Sequence, residues 1–389
     1  MKVVVAHNLY SSAQPSGENT VVGQELEALL AAGIEVLPFL RSSDEIATMP
    51  AFRRALLPVS PVYAHAAQRE LALLCRRERP DVLHLHNPYP LLSPWVVRTA
   101  QAHGVAVVQT VHNYRHVCVS GLHYRDGHTC HDCSGLAWAA PAVRHACYRG
   151  SAAQSAVMAT ALAVHRSTWK RVDRFVALTP KLAEFLRGIG IDEERIVVKP
   201  NAVPDPGRHS QRGQGFLFAG RLSAEKGVLE LLAAWESLPS GSLGHLTFAG
   251  DGPLRCRISD FAASRADVHY AGKVGAPRLR ELMRDAAAVV VPSTFDDICP
   301  LVAIEALANS RPVLGSDRGG LPFVIGPAGW IAPPSSLAAA LKTAYAQAAG
   351  LTSAARSRYE ELFEPAALTC RLITIYQQAL SARLSRGRP

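Results

Sequence analysis

Short β-branched runs alternate with longer stretches of mixed polarity through the first half of the chain. "KVVVA" (Lys2 to Ala6) leads into "TVVGQELEALLAAG", whose apolar positions recur at helical spacing, and then into "IEVLPFL". A basic helix ending "LALLCRRERP" precedes "DVLHLHN", and "WVVRTAQAHG" precedes "VAVVQTVHN"; "RFVALTP" and "RIVVKPN" continue the series. Runs that are apolar throughout, with helices between them, predict a parallel sheet covered on both faces.

"PNAVPDPGRHSQRGQG", residues 200–215, is dense in Pro, Gly and polar residues and reads as a linker. The alternation then restarts with "FLFAG", "LTFAGDG", "DVHYAG", "AAVVVPS" and "RPVLGSD" as strands. The fold class is α/β, with two doubly wound domains in tandem over residues 1–205 and 206–365. "SRYEELFEPAALTCRLITIYQQALSARL" reads as one or two amphipathic helices, and residues 366–389 are expected to pack back on the first domain. Ligands of such sheets bind at the carboxyl ends of strands, near the point where the strand order reverses.

Composition supports this outline. At 389 residues the chain exceeds what one core serves, and 48% hydrophobic against 19% charged residues excludes a disordered chain. The apolar stretch Ser155 to His165 is shorter than the roughly 20 residues of a membrane span and reads as a buried helix. The opening "MKVVVAHNLY" is too short for a signal peptide, so a cytoplasmic location is expected. The net charge of +9 favours anionic partners. With no block of interleaved basic and aromatic residues, a phosphorylated small molecule or an anionic membrane surface is expected rather than nucleic acid. The basic positions Arg53, Arg54, Arg69, Arg76, Arg77 and Arg79 would make a peripheral contact with the inner face of the cell membrane, although a solvated helix face is the simpler reading.

Two segments carry candidate chemistry. In "FAGRLSAEKGVLELLAAW", Arg221 and Lys226 lie in the loop after a strand, beside a helix start. Such cations fit a diphosphate, although alone they also fit a solvated turn. In "FDDICPLVAIEALA", Pro300 predicts a helix over 300–308, and the amides of Leu301 and Val302 would be unpaired donors. Glu305 falls among apolar neighbours and, if buried, needs partners such as the two hydroxyls of a ribose; a solvent-facing Glu is the alternative.

These segments resemble the retaining glycosyltransferases of family 4, which have the GT-B fold, two Rossmann-like domains facing across a cleft. The resemblance covers nearly the whole chain. "FDDICPLVAIEALA" is similar to the family's Glu-x7-Glu motif, with Asp297 in the first position and Glu305 in the second. "GRLSAEKG" is similar to the donor-diphosphate loop, and Ser16-Gly17 stands where the family usually has Gly-Gly. "DVLHLHN", "TVHN", "VKPNAV", "FAGDGPL", "YAGKV" and "RPVLGSDRGGLP" follow in the expected order. The resemblance implies a metal-independent hexosyl- or glycosyltransferase that uses a nucleoside-diphosphate sugar and needs no catalytic cofactor.

By that resemblance Glu305 binds the nucleotide ribose, Asp297 the sugar hydroxyls, and Arg221 and Lys226 the departing diphosphate. Gly17, Pro300 and Leu301 border the donor, the backbone near Lys273 and Val274 holds the base, and His112 faces the sugar from the other domain. Asp296-Asp297 is therefore not expected to be a metal site. Two positions depart from the pattern: Asp297 is one methylene shorter than glutamate, and Phe323 stands where the family commonly has Glu. The acceptor is expected to be a cell-envelope lipid, polysaccharide or natural product. A degenerate binding protein and a nucleotide-sugar epimerase on the same scaffold are the competing readings.

The cysteine pattern adds one separate expectation. Cys118, Cys130, Cys133 and Cys147 cluster within the loop 113–150, and a Cys-x2-Cys pair with two further thiols suits a structural zinc, with His116 and His131 as substitutes. Reduced, unligated thiols fit the same spacing.

Overall fold

The computed structural model describes residues 1–13, 16–51, 54, 57–208 and 213–386. Arg53 lies outside the described residues, as do residues 209–212 of the Pro- and Gly-rich stretch. The chain divides into two compact units. The first comprises Met1–His123, Cys130–Lys199 and the chain from Ala366 onward; the second comprises Tyr124–Thr129 and Pro200–Pro365.

In the first unit, β1 (Lys2–Leu9), β2 (Glu35–Ser42), β3 (Val82–Leu85) and β4 (Ala106–Val111) are joined by helices. After a short antiparallel pair, β5 (Tyr124–Arg125) and β6 (His128–Thr129), which counts with the second unit, come β7 (Arg174–Ala177) and β8 (Ile196–Val198). The sheet runs β2-β1-β3-β4-β7-β8, and every pairing is parallel. Every residue of β3 and β4 is buried, which is why these strands lack polar alternation. Val3, Val5, Val82 and Val108 pack with Val22 and Leu29 of the helix Gly17–Ala31 and with Leu372, Ile375 and Tyr376 of the last helix, Pro365–Arg386. The apolar stretch 155–165 falls inside the helix Ala152–Trp169, whose first turn is capped by Ser151 accepting from the amide of Gln154.

The second unit holds β9 (Phe216–Ala219), β10 (Leu246–Ala249), β11 (Val268–Gly272), β12 (Ala288–Val291), β13 (Val313–Gly315) and β14 (Gly329–Ile331). They order as β11-β10-β9-β12-β13-β14, again all parallel. The direction of winding reverses between β9 and β12, so the loops leaving those two strands open beside each other. Trp235, Phe216 and Phe248 fill one core of this unit.

Two features differ from the sequence reading, and a third settles an alternative it left open. β14 and the β5–β6 pair are too short, at three and two residues, to give a period-two signal. The C-terminal stretch forms two helices, Thr352–Leu362 and Pro365–Arg386, because Pro365 begins the second one and cannot continue the first. The start of the Pro- and Gly-rich stretch is anchored rather than loose. Asn201 Nδ2 donates to the carbonyl of Cys299 (3.3 Å), Tyr359 Oη to that of Val203 (2.8 Å), and Arg356 grips both oxygens of Asp205.

Arg356 is the centre of that anchor, since it also donates to Glu360 (2.8 Å) and to the helix-end carbonyl of Ala308 (2.9 Å). Replacing it by Met keeps the stem and strands Asp205 and the carbonyl. Arg356→Met is expected to cost the second unit about 2–4 kcal/mol, read as a lowered urea midpoint with an unchanged slope.

Candidate functional site

At the reversal point of the second sheet, two loops are held in contact by missing side chains. β9 ends at Ala219; Arg221 follows, exposed, and Ala224–Lys226 makes one tight turn. Gly227 then adopts φ +73°, and a Cβ there would lie 1.8 Å from the carbonyl oxygen of Pro292, just past β12. The amide of Thr294 donates to the carbonyl of Glu225 (2.9 Å), so the loops after β9 and β12 are joined by backbone as well.

This contact brings Lys226 and Asp297 together. Lys226 Nζ donates to Asp297 Oδ2 at 2.6 Å and lies 4.9 Å from the centre of the Phe295 ring. Ser293 Oγ supplies Asp297 with a second donor at 3.3 Å. Asp296 does different work: its Oδ1 accepts from the amide of Gly319 (3.0 Å), while the amide of Gly320 donates to the carbonyl of Asp297 (2.7 Å). Gly319 has φ +56°, and a Cβ on it would lie 2.2 Å from that carbonyl oxygen. The "DRGGLP" loop is therefore docked on the acidic loop, and the first aspartate is its anchor.

Pro300 is the residue before the helix rather than its first residue. Its ψ of 119° is extended, and the helix runs Leu301–Ala308. The expected unpaired amides still begin at Leu301, because that is where the helix starts. Glu305 lies on this helix; burial pushes its carboxyl above the usual range, against the pull of Arg280. Among the described residues no side chain donates a hydrogen bond to it. Val274 sits in the loop after β11, and the Phe323 ring lies 5.7 Å from the guanidinium carbon of Arg358. So Lys226, Asp297, Pro300, Leu301 and Glu305 belong to one loop-and-helix assembly, while Arg221 is exposed in the loop after β9.

In the first unit, Gly17 opens the helix after β1, and His112 directly follows β4. His112 stands in a buried polar cluster that single-residue inspection of the sequence had passed over. The alternation of β3 puts His84 on one face, and His86 continues that face one step beyond the strand. His86 Nδ1 lies 2.9 Å from His112 Nε2. Glu25, on the helix Gly17–Ala31, places Oε1 3.1 Å from His84 Nδ1 and 3.3 Å from His86 Nε2, and Oε2 3.3 Å from Lys199 Nζ. Burial works against the charge on Glu25, yet Lys199 and then His84 hold its carboxyl well below the usual range. Burial, reinforced by the neighbouring rings, lowers His86 to about 4 and takes His112 well below an ordinary imidazole. The clue in the sequence was "HLH": two histidines two apart on a buried strand need a shared polar partner.

A second missed carboxylate, Glu18, follows Gly17. Its Oε2 accepts from Tyr10 Oη (3.1 Å), and burial lifts its pKa to about 7 against the opposing charge of Arg115 and hydrogen bonds from Tyr10 and Asn113.

The four loop cysteines are all partly buried, and Cys133 and Cys147 pack against a buried cluster that includes Met158 and Leu162. Burial raises the Cys133 thiol to about 11, and the other three thiols add to the effect. Among the described residues, Glu25, His84 and His86 are the one group of three such ligands with its donor atoms within 4.8 Å of one another; the thiols do not form such a group. His116, the substitute ligand, faces Gln109 Oε1 at 3.2 Å, and His131 packs edge-on against His123.

Two family profiles match the chain: "Glycosyl transferase 4-like domain" over residues 16–202 and "Glycosyl transferases group 1" over residues 213–348. The D-inositol 3-phosphate glycosyltransferase of Paenarthrobacter aurescens is 36% identical over 172 residues, covering 38% of this chain and 41% of that protein. The alpha-maltose-1-phosphate synthase of Mycobacterium tuberculosis is 28% identical over 191 residues, covering 44% and 48%. The uncharacterized glycosyltransferase MJ1607 of Methanocaldococcus jannaschii is 34% identical over 112 residues, 28% of each chain. The alignments thus span less than half the length of these curated relatives. Among solved structures, the sucrose-phosphate synthase of Thermosynechococcus elongatus superposes with a TM-score of 0.71 at 21% identity, covering 98% of this chain and 99% of that one. Anabaena HepE in complex with UDP-glucose superposes at 0.63 and 14% identity, over 99% and 100%.

Glu18 generates a pH dependence with a defined sign. The folded protein keeps a proton to about 7 that the unfolded chain releases near 4.5. Stability therefore falls as pH rises through that window, by roughly 3 kcal/mol in all. Glu18→Gln should flatten the curve there and raise the melting temperature above pH 7, measured by thermal unfolding across a pH series.

Proposed function

Because the chain belongs to the group 1 glycosyltransferases and has the two-domain GT-B fold, we propose that it is a retaining, metal-independent transferase. It moves a sugar from a nucleoside-diphosphate sugar to a cell-envelope lipid, polysaccharide or natural-product acceptor. The observation that carries this reading is the Lys226–Asp297 pair, set at the strand reversal of the second sheet. The neighbouring structures described with UDP and with UDP-glucose support a nucleotide-sugar donor and make UDP the first nucleotide to try.

In this reading Arg221 and Lys226 take the diphosphate, with the Leu301 and Val302 amides adding donors at the helix start. As the anomeric carbon gains oxocarbenium character, these fixed charges stabilise the departing diphosphate. The acceptor attacks from the face the diphosphate leaves, with the phosphate assisting. Asp297 accepts from sugar hydroxyls while Lys226 holds its position, and the shorter arm of an aspartate suits that shared role. Glu305, which has no donor from a described side chain, takes the two hydroxyls of a ribose. By the family resemblance, Gly17 and His112 take part in sugar binding and Val274 in base binding.

Two finer proposals accompany this one. No helix among the described residues is long and apolar enough to cross a membrane. Arg69, Arg76, Arg77 and Arg79 are exposed, which supports a solvated helix face; co-flotation with anionic liposomes would instead support peripheral attachment to the inner face of the membrane. A structural zinc on Cys118, Cys130, Cys133 and Cys147 is supported by their spacing and by the mutual influence of the thiols on Cys133. To hold the metal the loop must draw the sulfurs to about 3.8 Å apart, from Zn–S bonds of ~2.3 Å in a tetrahedron. Elemental analysis should then give one zinc per chain, and chelation should lower the melting temperature; four freely titrating thiols and no metal would reject it.

The central reading predicts that Lys226→Ala and Glu305→Ala each lower donor turnover about 100-fold or more, measured as UDP release from UDP-sugars. UDP should raise the melting temperature of the wild type and lose that effect in Glu305→Ala. A wild type that binds UDP and turns over no nucleotide sugar would favour the degenerate binding protein. Inversion of one ring carbon of the nucleotide sugar without transfer would favour the epimerase.

A further inference from the structure

The first sheet has a reversal point of its own, between β1 and β3. Tyr10 directly follows β1, while Tyr89 and Arg115 come shortly after β3 and β4, so all three stand at the carboxyl ends of adjacent strands. Arg115 is the centre of this group. The charges acting on its guanidinium are those of Tyr10, Tyr148, Glu18 and Tyr89, and the Tyr148 ring lies 6.0 Å from its guanidinium carbon. A close approach fixes its stem: Gly121 has φ +83°, and a Cβ there would lie 2.8 Å from Arg115 Cγ. Among the described residues the guanidinium makes no hydrogen bond or ion pair, and its Nε is buried without a partner. The hydroxyl of Tyr89, a residue only 3% exposed, is in the same condition. Glu18 does not neutralise the arginine, since its Oε2 accepts from Tyr10 Oη and burial keeps it protonated to about pH 7. Tyr89 and Arg115 line a cavity of about 20 Å³ together with Asn113, His116 and Trp169. One water fits that volume and would satisfy the orphaned Trp169 Nε1 and His116 Nδ1. It would not supply the negative charge that a desolvated guanidinium requires.

We propose that Arg115 and Tyr89 form an anion subsite within the first unit that holds an acidic group of the acceptor, a phosphate monoester or a carboxylate. The acceptor role rests on the glycosyltransferase reading above; binding of the anion does not. The chemistry is one-sided, because arginine offers a planar fork of donors and the phenol adds one more. A neutral sugar brings only hydroxyls, which leave the guanidinium charge uncompensated. An oxyanion answers the charge and the donors together. With its stem already held against Gly121, Arg115 loses little rotamer freedom when the ligand arrives. The subsite therefore sorts acceptors by charge. It is distinct from the cations assigned to the donor diphosphate, since Arg221 and Lys226 belong to the second unit.

The test follows the Arg115 Nε–H signal in 1H–15N spectra of the full chain just below neutral pH, assigned by its loss in Arg115→Met. Saturating UDP is present throughout to occupy the donor site. Inorganic phosphate should shift that signal and saturate, whereas chloride at equal ionic strength should leave it in place. A parallel titration with acetate separates a carboxylate site from a phosphate site. Phosphate should also raise the melting temperature of the UDP-saturated wild type. That rise should be lost in Arg115→Met and reduced in Arg115→Lys, which keeps the charge without the fork and serves should the first variant fail to fold. With UDP-glucose as donor, KM for a phosphorylated or carboxylated sugar acceptor should rise roughly 10- to 100-fold in Arg115→Met, the worth of one charge-assisted hydrogen bond, with a smaller change in kcat. An Arg115 signal that answers phosphate and chloride alike, or a KM for acidic acceptors that neither variant changes, would overturn the subsite. A wild type that turns over no nucleotide sugar with any acceptor would overturn the transferase reading instead, and the phosphate titration would decide the subsite by itself.

Discussion

The close approach of two backbones at Gly227 is the constraint on which the second unit's site depends. No residue with a Cβ fits at φ +73° against the Pro292 carbonyl, so the loops after β9 and β12 can meet only through a glycine. Once they meet, Lys226 is delivered to Asp297, and neither side chain needs a long reach. Gly319 repeats the device from the other side, allowing the loop after β13 to lie on the carbonyl of Asp297. Three loops from adjacent strands are thus locked around one aspartate, and the ion pair is the product of that docking.

The first unit meets a different constraint: a carboxylate taken out of water must be given both charge and hydrogen-bond partners. Glu25 gains Lys199 from just past β8 and two histidines from β3 and its edge. Glu18, seven residues earlier on the same helix, has no such ammonium within a salt-bridge distance among the described residues. The two carboxyls accordingly move in opposite directions, one held charged and the other kept protonated to about pH 7. One helix presents two acids in opposite states because the partners come from different strands.

The fold was legible because β-branched runs with helices between them leave few topologies, and each long strand announced itself. Lys226, Asp297 and Glu305 were legible for a similar reason: they sit next to glycines, a proline and strand ends, which punctuate the chain. What stayed hidden depends on partners far away in sequence. Glu25 and Lys199 are 174 residues apart, and neither stands in a distinctive local context. Pro300 was placed one residue too far into its helix because its fixed φ suits both positions, and only ψ separates them. Asp296 and Asp297 looked equivalent as a doublet, yet one anchors a glycine loop and the other pairs with a lysine, a division set by side-chain direction alone.

The helix Pro365–Arg386 places Leu372, Ile375 and Tyr376 in the core of the first unit, after the chain has built the whole of the second. On a ribosome, Val3, Val82 and Val108 are therefore made long before the surface that covers them. At ~5–20 residues per second, the intervening unit takes on the order of ten seconds or more to emerge. During that interval the nascent first sheet shows water a bare apolar flank, and a message cut short before Leu372 would yield a sheet permanently missing its cover. Order of synthesis, as much as sequence, sets how long that flank stays uncovered.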